Sequence, residues 1–115
     1  MRVHELAITQ NILDIAINEA KAAQASHITK IRLIIGELSG VVGECVQFYF
    51  DFLKRGSIAE NATIDFEAVP AELHCRNCQA SFKLEDSNWA CPYCQSTTVE
   101  ITGGQSCFIE SIEVE

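Results

Sequence analysis

The chain has 115 residues, with 16 acidic and 8 basic side chains, a net charge of −8 and a hydrophobic fraction of 48%. That length predicts one compact domain, or one with a small appendage, and the apolar content excludes general disorder. No apolar run approaches the ~20 residues that cross a bilayer, and no stretch is basic enough to bind nucleic acid by releasing counterions.

The acidic excess is spread along the chain: residues 1–70 carry −3, residues 71–104 carry −2, and the tail 105–115 carries −3 with no base. Protein partners or metal cations suit such a surface better than nucleic acid does. The start Met1-Arg2-Val3-His4-Glu5 lacks the layout of a signal peptide, so a cytoplasmic protein is expected. Thiols stay reduced there, and six cysteines then point to metal before disulfides.

Residues 5–25 read as a helix, with Ile8, Ile12, Ile15, Ala16, Ala20 and Ala23 forming an apolar stripe at spacings of three and four. Ser26-His27 break it. Residues 28–35 read as a strand with Ile31, Leu33 and Ile35 on one face and Lys30 and Arg32 on the other. Gly36-Glu37-Leu38-Ser39-Gly40 is a turn-rich connection to a second helix at about 42–55. Val46, Phe50 and Leu53 are its core stripe, Phe48 and Phe52 are expected to widen it, and Lys54-Arg55-Gly56 ends it. Residues 62–69 alternate as a strand, with Ile64, Phe66 and Ala68 opposed to Asp65 and Glu67, before Pro70. Short strands are expected at 81–84 and 97–101 and a longer one at 106–114, with Phe108, Ile112 and Val114 sharing a face.

These elements predict an α+β fold: two helices packed on a three-stranded sheet whose third strand is the last, with a zinc-ribbon-like domain inserted. The expected division is residues 1–70, completed by 105–115, and a metal-binding insert at 71–104 with its two ends close together.

The insert carries Cys75-x2-Cys78 and Cys91-x2-Cys94, 12 residues apart. Each pair suits a tight turn that aims two thiolates at one ion, and two such turns complete a tetrahedron. Structural Zn²⁺ is the expected ion, with iron in the same four-sulfur geometry as the alternative. Four protein ligands leave no open position for catalysis, so the ion's task would be to fold an insert too small to bury its own core. His74, beside the first cysteine, is either a supporting or exchanging ligand or a solvent-facing neighbour. Cys45 and Cys107 are expected to be buried as small apolar residues.

On periodicity alone, His4-Glu5 is an ordinary helix start, with Glu5 placed to complement the helix dipole. Chemically, an imidazole flanked by backbone amides and a terminal amine makes a nitrogen field suited to Ni²⁺ or Cu²⁺. The run His4-Glu5-Leu6-Ala7-Ile8, then Ile34-Ile35-Gly36-Glu37-Leu38-Ser39-Gly40-Val41, then the two cysteine pairs, resembles the hydrogenase-maturation nickel metallochaperones, the HypA/HybF family. The resemblance spans essentially the whole chain. It implies a carrier rather than an enzyme, with Ni²⁺ as transient cargo on His4, Glu5 beside it, and structural zinc on Cys75, Cys78, Cys91 and Cys94. It further implies a partner GTPase, delivery to the large subunit of [NiFe]-hydrogenase and in some bacteria urease, and a monomer or homodimer.

Members of that family usually begin Met-His-Glu, whereas Arg2-Val3 here set the terminal amine two residues from His4. No histidine lies between the cysteine pairs, so no second-domain histidine is expected to join the nickel site. There is no G-x-x-x-x-G-K-[ST] loop, so nucleotide energy would come from another protein, and the first helix and the Glu37–Gly40 turn are candidate docking surfaces. The alternative reading is a zinc-ribbon adaptor or regulatory module without nickel, since such ribbons serve many functions.

Overall fold

The computed structural model describes residues 5–85 and 88–115. In chain order the elements are α1 (Glu5–Ala22), β1 (Ile28–Gly36), α2 (Gly43–Leu53), β2 (Thr63–Val69), β3 (Glu72–Cys75), β4 (Ser81–Lys83), β5 (Val99–Gly103) and β6 (Cys107–Val114). They build two three-stranded sheets, ordered β2-β1-β6 and β4-β3-β5. In the first, β1 pairs parallel with β2 and antiparallel with β6, so the last strand completes the sheet as the sequence predicts.

Both helices cover one face of this sheet. Ile12, Leu13, Ala16 and Ala20 of α1 and Val46 and Phe50 of α2 are buried against Ile28, Ile31 and Leu33 of β1 and Ile64 of β2. Thr9 is also fully buried; its hydroxyl donates to the Glu5 carbonyl at 2.6 Å, which removes the cost of placing a polar group there. The core stripe therefore runs through Thr9 and Leu13 rather than Ile15 and Ala23, both of which are exposed. Gln24 ends α1 in the left-handed conformation (φ 58°), and the Ala25 N–H closes back on the Ala20 carbonyl at 2.9 Å.

Three further expectations from the sequence need correction. Phe48 and Phe52 do not widen the core; they are 71% and 64% exposed. Two residues turn about 200° around a helix, so a helix lying on one sheet cannot bury positions 48 and 50 together. Cys45 is exposed rather than buried. Phe108 faces away from the helices, because β6 carries a bulge: Arg32 pairs with Ser111 and Leu33 with Ile109, leaving Glu110 as the extra residue. One extra residue inverts the parity of a strand, so Cys107 and Ile109 before it and Ile112 after it all pack on the core.

The opposite sheet face is polar around Arg32 and apolar at its other end, where Ile34 pairs with Phe108. Arg32 is flanked by Glu67, Glu110 and Asp65, and the Glu67 hydrogen bond, above all, holds the guanidinium charged.

The second sheet contains far less to hold it. The buried side chains of the sheet and its flanking turns are Ala71, Leu73, Cys75 and Cys91, apart from the main core cluster. A single leucine at the centre cannot offset the ordering of some thirty residues, at about 1–2 kcal/mol each. A further crosslink is required.

Candidate metal centre and the turn that holds it

The crosslink is supplied by two turns of the same construction. At the first, the Cys75 N–H donates to the Ala80 carbonyl (2.8 Å) and the Gln79 N–H to the Cys75 carbonyl (2.9 Å). At the second, Cys91 donates to Ser96 (2.8 Å) and Gln95 to Cys91 (2.9 Å). Both close on a glutamine in the left-handed region, Gln79 at φ 66° and Gln95 at φ 65°. The repeated unit is thus Cys-x2-Cys-Gln, and the glutamine following each pair is the visible mark of the turn in the sequence.

These turns bring Cys75, Cys78, Cys91 and Cys94 together, with all four sulfurs within 4.8 Å of one another. Cys75 to Cys94 and Cys78 to Cys91 are each 3.6 Å. A tetrahedral zinc with Zn–S bonds of about 2.3 Å spaces its sulfurs by about 3.8 Å, so donor type, number and spacing all fit a structural zinc site. None of the six cysteines forms a disulfide.

Against protons Cys94 and Cys78 differ. Cys94 is lowered to about 6, first by the Asn77 side-chain amide and then by the Ser96 backbone N–H. At Cys78 the Ala80 N–H pulls downward, but burial and the other three thiols outweigh it and push the group up to about 12. Four thiolates at this spacing repel, and a divalent cation is the counter-charge that allows them to coexist. His74 is held away from the sulfurs by Glu100, 3.0 Å from its Nδ1, while Arg76 binds the same carboxylate at 3.0 Å. Arg76 first and His74 second hold Glu100 below the usual carboxylate range.

Gly36-Glu37-Leu38-Ser39-Gly40 does more than join strand to helix. The Glu37 carboxylate accepts the Ala71 N–H at 2.7 Å, and the Glu37 N–H donates to the Val69 carbonyl at 2.8 Å. Leu38 N–H donates to Gly104 (2.7 Å) and Gly36 N–H to Ser106 (2.8 Å). One turn therefore grips both the segment entering the cysteine-rich region and the segment leaving it. Glycine is obligatory at the crossing: a methyl on Gly36 would run into the Gly104 carbonyl, and one on Gly104 (φ 81°) would lie 2.7 Å from the Ala71 Cα. Periodicity gives no hint of this clamp; the closely spaced glycines are its only mark in the sequence.

Of the nickel residues expected from the sequence, Glu5 opens the first turn of α1 and is partly exposed. His4 lies outside the described residues. Among the described residues the cysteine quartet is the one cluster able to hold a metal ion, and no helix is long and apolar enough to cross a membrane.

A family model described as hydrogenase/urease nickel incorporation, metallochaperone, HypA, matches residues 3–114. The chain belongs to the HypA family. The hydrogenase maturation factor HypA of Dehalococcoides mccartyi is 40% identical over 113 residues, covering 98% of this chain and 95% of its own. That of Caldanaerobacter subterraneus subsp. tengcongensis is 39% identical over 114 residues, covering 98% of this chain and all of its own. The solution structure of the Ni metallochaperone HypA from Helicobacter pylori superposes with a TM-score of 0.71 at 26% identity, covering 97% of each chain. The HypA family consists of nickel metallochaperones acting in hydrogenase maturation, carriers of an ion rather than enzymes. The adaptor reading without nickel falls with that membership.

Proposed function

We propose that Ni²⁺ is held at the start of the chain by His4, with Glu5 beside it, and is passed with a partner GTPase to the large subunit of [NiFe]-hydrogenase, urease being a second client. The observation that carries the reading is a family match that runs through positions 4 and 5 and on to residue 114. The chemistry is consistent. Imidazole suits Ni²⁺, and backbone amides of residues 2–4 can complete a nitrogen field. The partial positive charge at a helix N-terminus opposes a bound cation, and the Glu5 carboxylate in the first turn offsets it. A site built on such opposed terms binds weakly enough to release its cargo.

On the same reading Cys75, Cys78, Cys91 and Cys94 hold structural zinc, whose binding energy folds residues 71–104 as a unit separate from the nickel-binding part, 1–70 with 105–115. The absence of a nucleotide-binding loop from the sequence supports an external GTPase, and a maturation factor of this kind works in the cytoplasm.

Calorimetric nickel titration of the zinc-loaded protein tests the assignment. One Ni²⁺ per chain is expected. It should be lost in His4→Ala and weakened about 10–100-fold in Glu5→Gln, while elemental analysis still finds one zinc. Unchanged nickel affinity in His4→Ala would refute the site.

A further inference from the structure

An apolar trough runs between α1 and the full length of β6. It consists of two cavities, about 520 Å³ and about 400 Å³, that meet at Ile15 and Ile109. Ile8, Val41 and Cys107 line the first, and Ala23, Ile112 and Val114 the second. Helix α1 is apolar over a wider arc than the core uses: Ile15 is 44% exposed and Ala23 is exposed. Beneath that overhang β6 is an edge strand, and among the described residues no other strand pairs with its outer side. An edge with an apolar roof is the arrangement in which an extended segment adds to a sheet, its alternate side chains entering pockets on one face.

Charge selects the occupant. The open sheet face beside β6 carries Asp65, Glu67, Glu110 and Glu113 against Lys30 and Arg32, an excess of two negative charges. Glu19 on the wall of the trough has no basic partner among the described residues. A second copy of this chain docking β6 to β6 would bring Glu110, Glu113 and Glu115 of each strand among those of the other, and like charges across a strand pair destabilise it.

We propose that this trough docks an extended segment of a partner protein, with aliphatic side chains directed under α1 and Lys or Arg at the alternate positions, as a fourth strand beside β6. The trough begins at Ile8, one helical turn from Glu5, so a docked segment would run alongside the nickel end; that last point rests on the nickel assignment.

The test uses the zinc-loaded, full-length chain, labelled for NMR, and an eight-residue peptide of alternating Lys and Val with blocked ends, matched to the 8 residues of β6. Its counterpart carries Glu in place of each Lys. The Lys-Val peptide should slow hydrogen exchange of β6 amides and shift resonances of α1 and β6 but not the exposed face of α2. Ile15→Glu, a change at an exposed position, should weaken binding about tenfold or more. The proposal is overturned if the Lys-Val peptide does not bind, if the Glu-Val peptide binds as well, or if Ile15→Glu has no effect. It is equally overturned if β6 amides become protected with rising protein concentration and no peptide, the signature of a second copy. Nickel enters none of these measurements, and calorimetry on Ile15→Glu should show unchanged nickel affinity, so failure of the docking and failure of the nickel site are separately visible.

Discussion

Removing the Glu37 carboxylate should loosen the cysteine-rich unit from the helical layer without dismantling either. Glu37→Ala deletes the acceptor of a 2.7 Å hydrogen bond from the N–H of Ala71, a residue with no exposed surface. A buried donor left unpaired costs about 1–3 kcal/mol. Glu37 is itself exposed, so water can enter where its side chain stood, and the expected loss falls at about 1–2 kcal/mol. Glu37→Gln keeps an oxygen at the same reach and forfeits only the charge, for about 0.5 kcal/mol. Urea unfolding of the zinc-loaded protein can be followed by two probes. The single tryptophan, Trp89, reports on the cysteine-rich region, and far-ultraviolet circular dichroism reports on α1 and α2. The wild type should show coincident transitions. Glu37→Ala should shift the midpoint downward and separate the two probes, and Glu37→Gln should remain close to wild type. Coincident, unshifted transitions in Glu37→Ala, or equal damage from Gln and Ala, would refute the clamp.

Leu13→Ala, in the buried stripe, should cost about 2–4 kcal/mol in chemical denaturation, whereas Ile15→Ala at its exposed neighbour should cost under about 1 kcal/mol; equal losses would restore the stripe predicted from the sequence. With zinc bound, iodoacetamide should modify exposed Cys45 first and Cys107 at least about tenfold more slowly, because burial pushes the Cys107 thiol up. Peptide mapping after chelation should then add Cys75, Cys78, Cys91 and Cys94; prior reaction of Cys107 would contradict its placement. Glu100 is held low by Arg76 and His74, so its contribution to stability is present above the ordinary carboxylate range of about 4.3 and is lost as pH falls through its lowered value. The thermal midpoint of Glu100→Gln should lie below wild type at neutral pH, with the gap closing only in acid. A gap that persists undiminished in acid, or no gap at neutral pH, would refute the stabilising role of the Glu100 carboxylate.

Most of the architecture was legible because it rests on period. Apolar residues at spacings of three and four marked both helices, alternation marked β1 and β2, and Pro70 and the Gly103-Gly104 pair bracketed the cysteine-rich region. The failures have local causes. Alternation along β6 misassigned Phe108 because the bulge at Glu110 depends on pairing with Arg32 and Leu33, information carried by another strand. Phe48 and Phe52 were misplaced because hydrophobicity does not reveal how much of a helix one sheet can cover. The cysteine quartet was legible in full, since ligand spacing is a local property, yet the Glu37 clamp that fastens the unit was not. Its partners, Val69, Ala71, Gly104 and Ser106, are bound mainly through their backbones, which any residue presents. Resemblance to a family, rather than pattern, raised His4-Glu5 above an ordinary helix start.

The central claim is a nickel site at the amino terminus distinct from the four-cysteine site, and nickel X-ray absorption on the zinc-loaded protein and on His4→Ala addresses it directly. The account predicts nitrogen and oxygen neighbours around nickel in the native chain, with the signal lost in His4→Ala and zinc still surrounded by four sulfurs in both. Sulfur neighbours around nickel, or an unchanged nickel spectrum in His4→Ala, would contradict it.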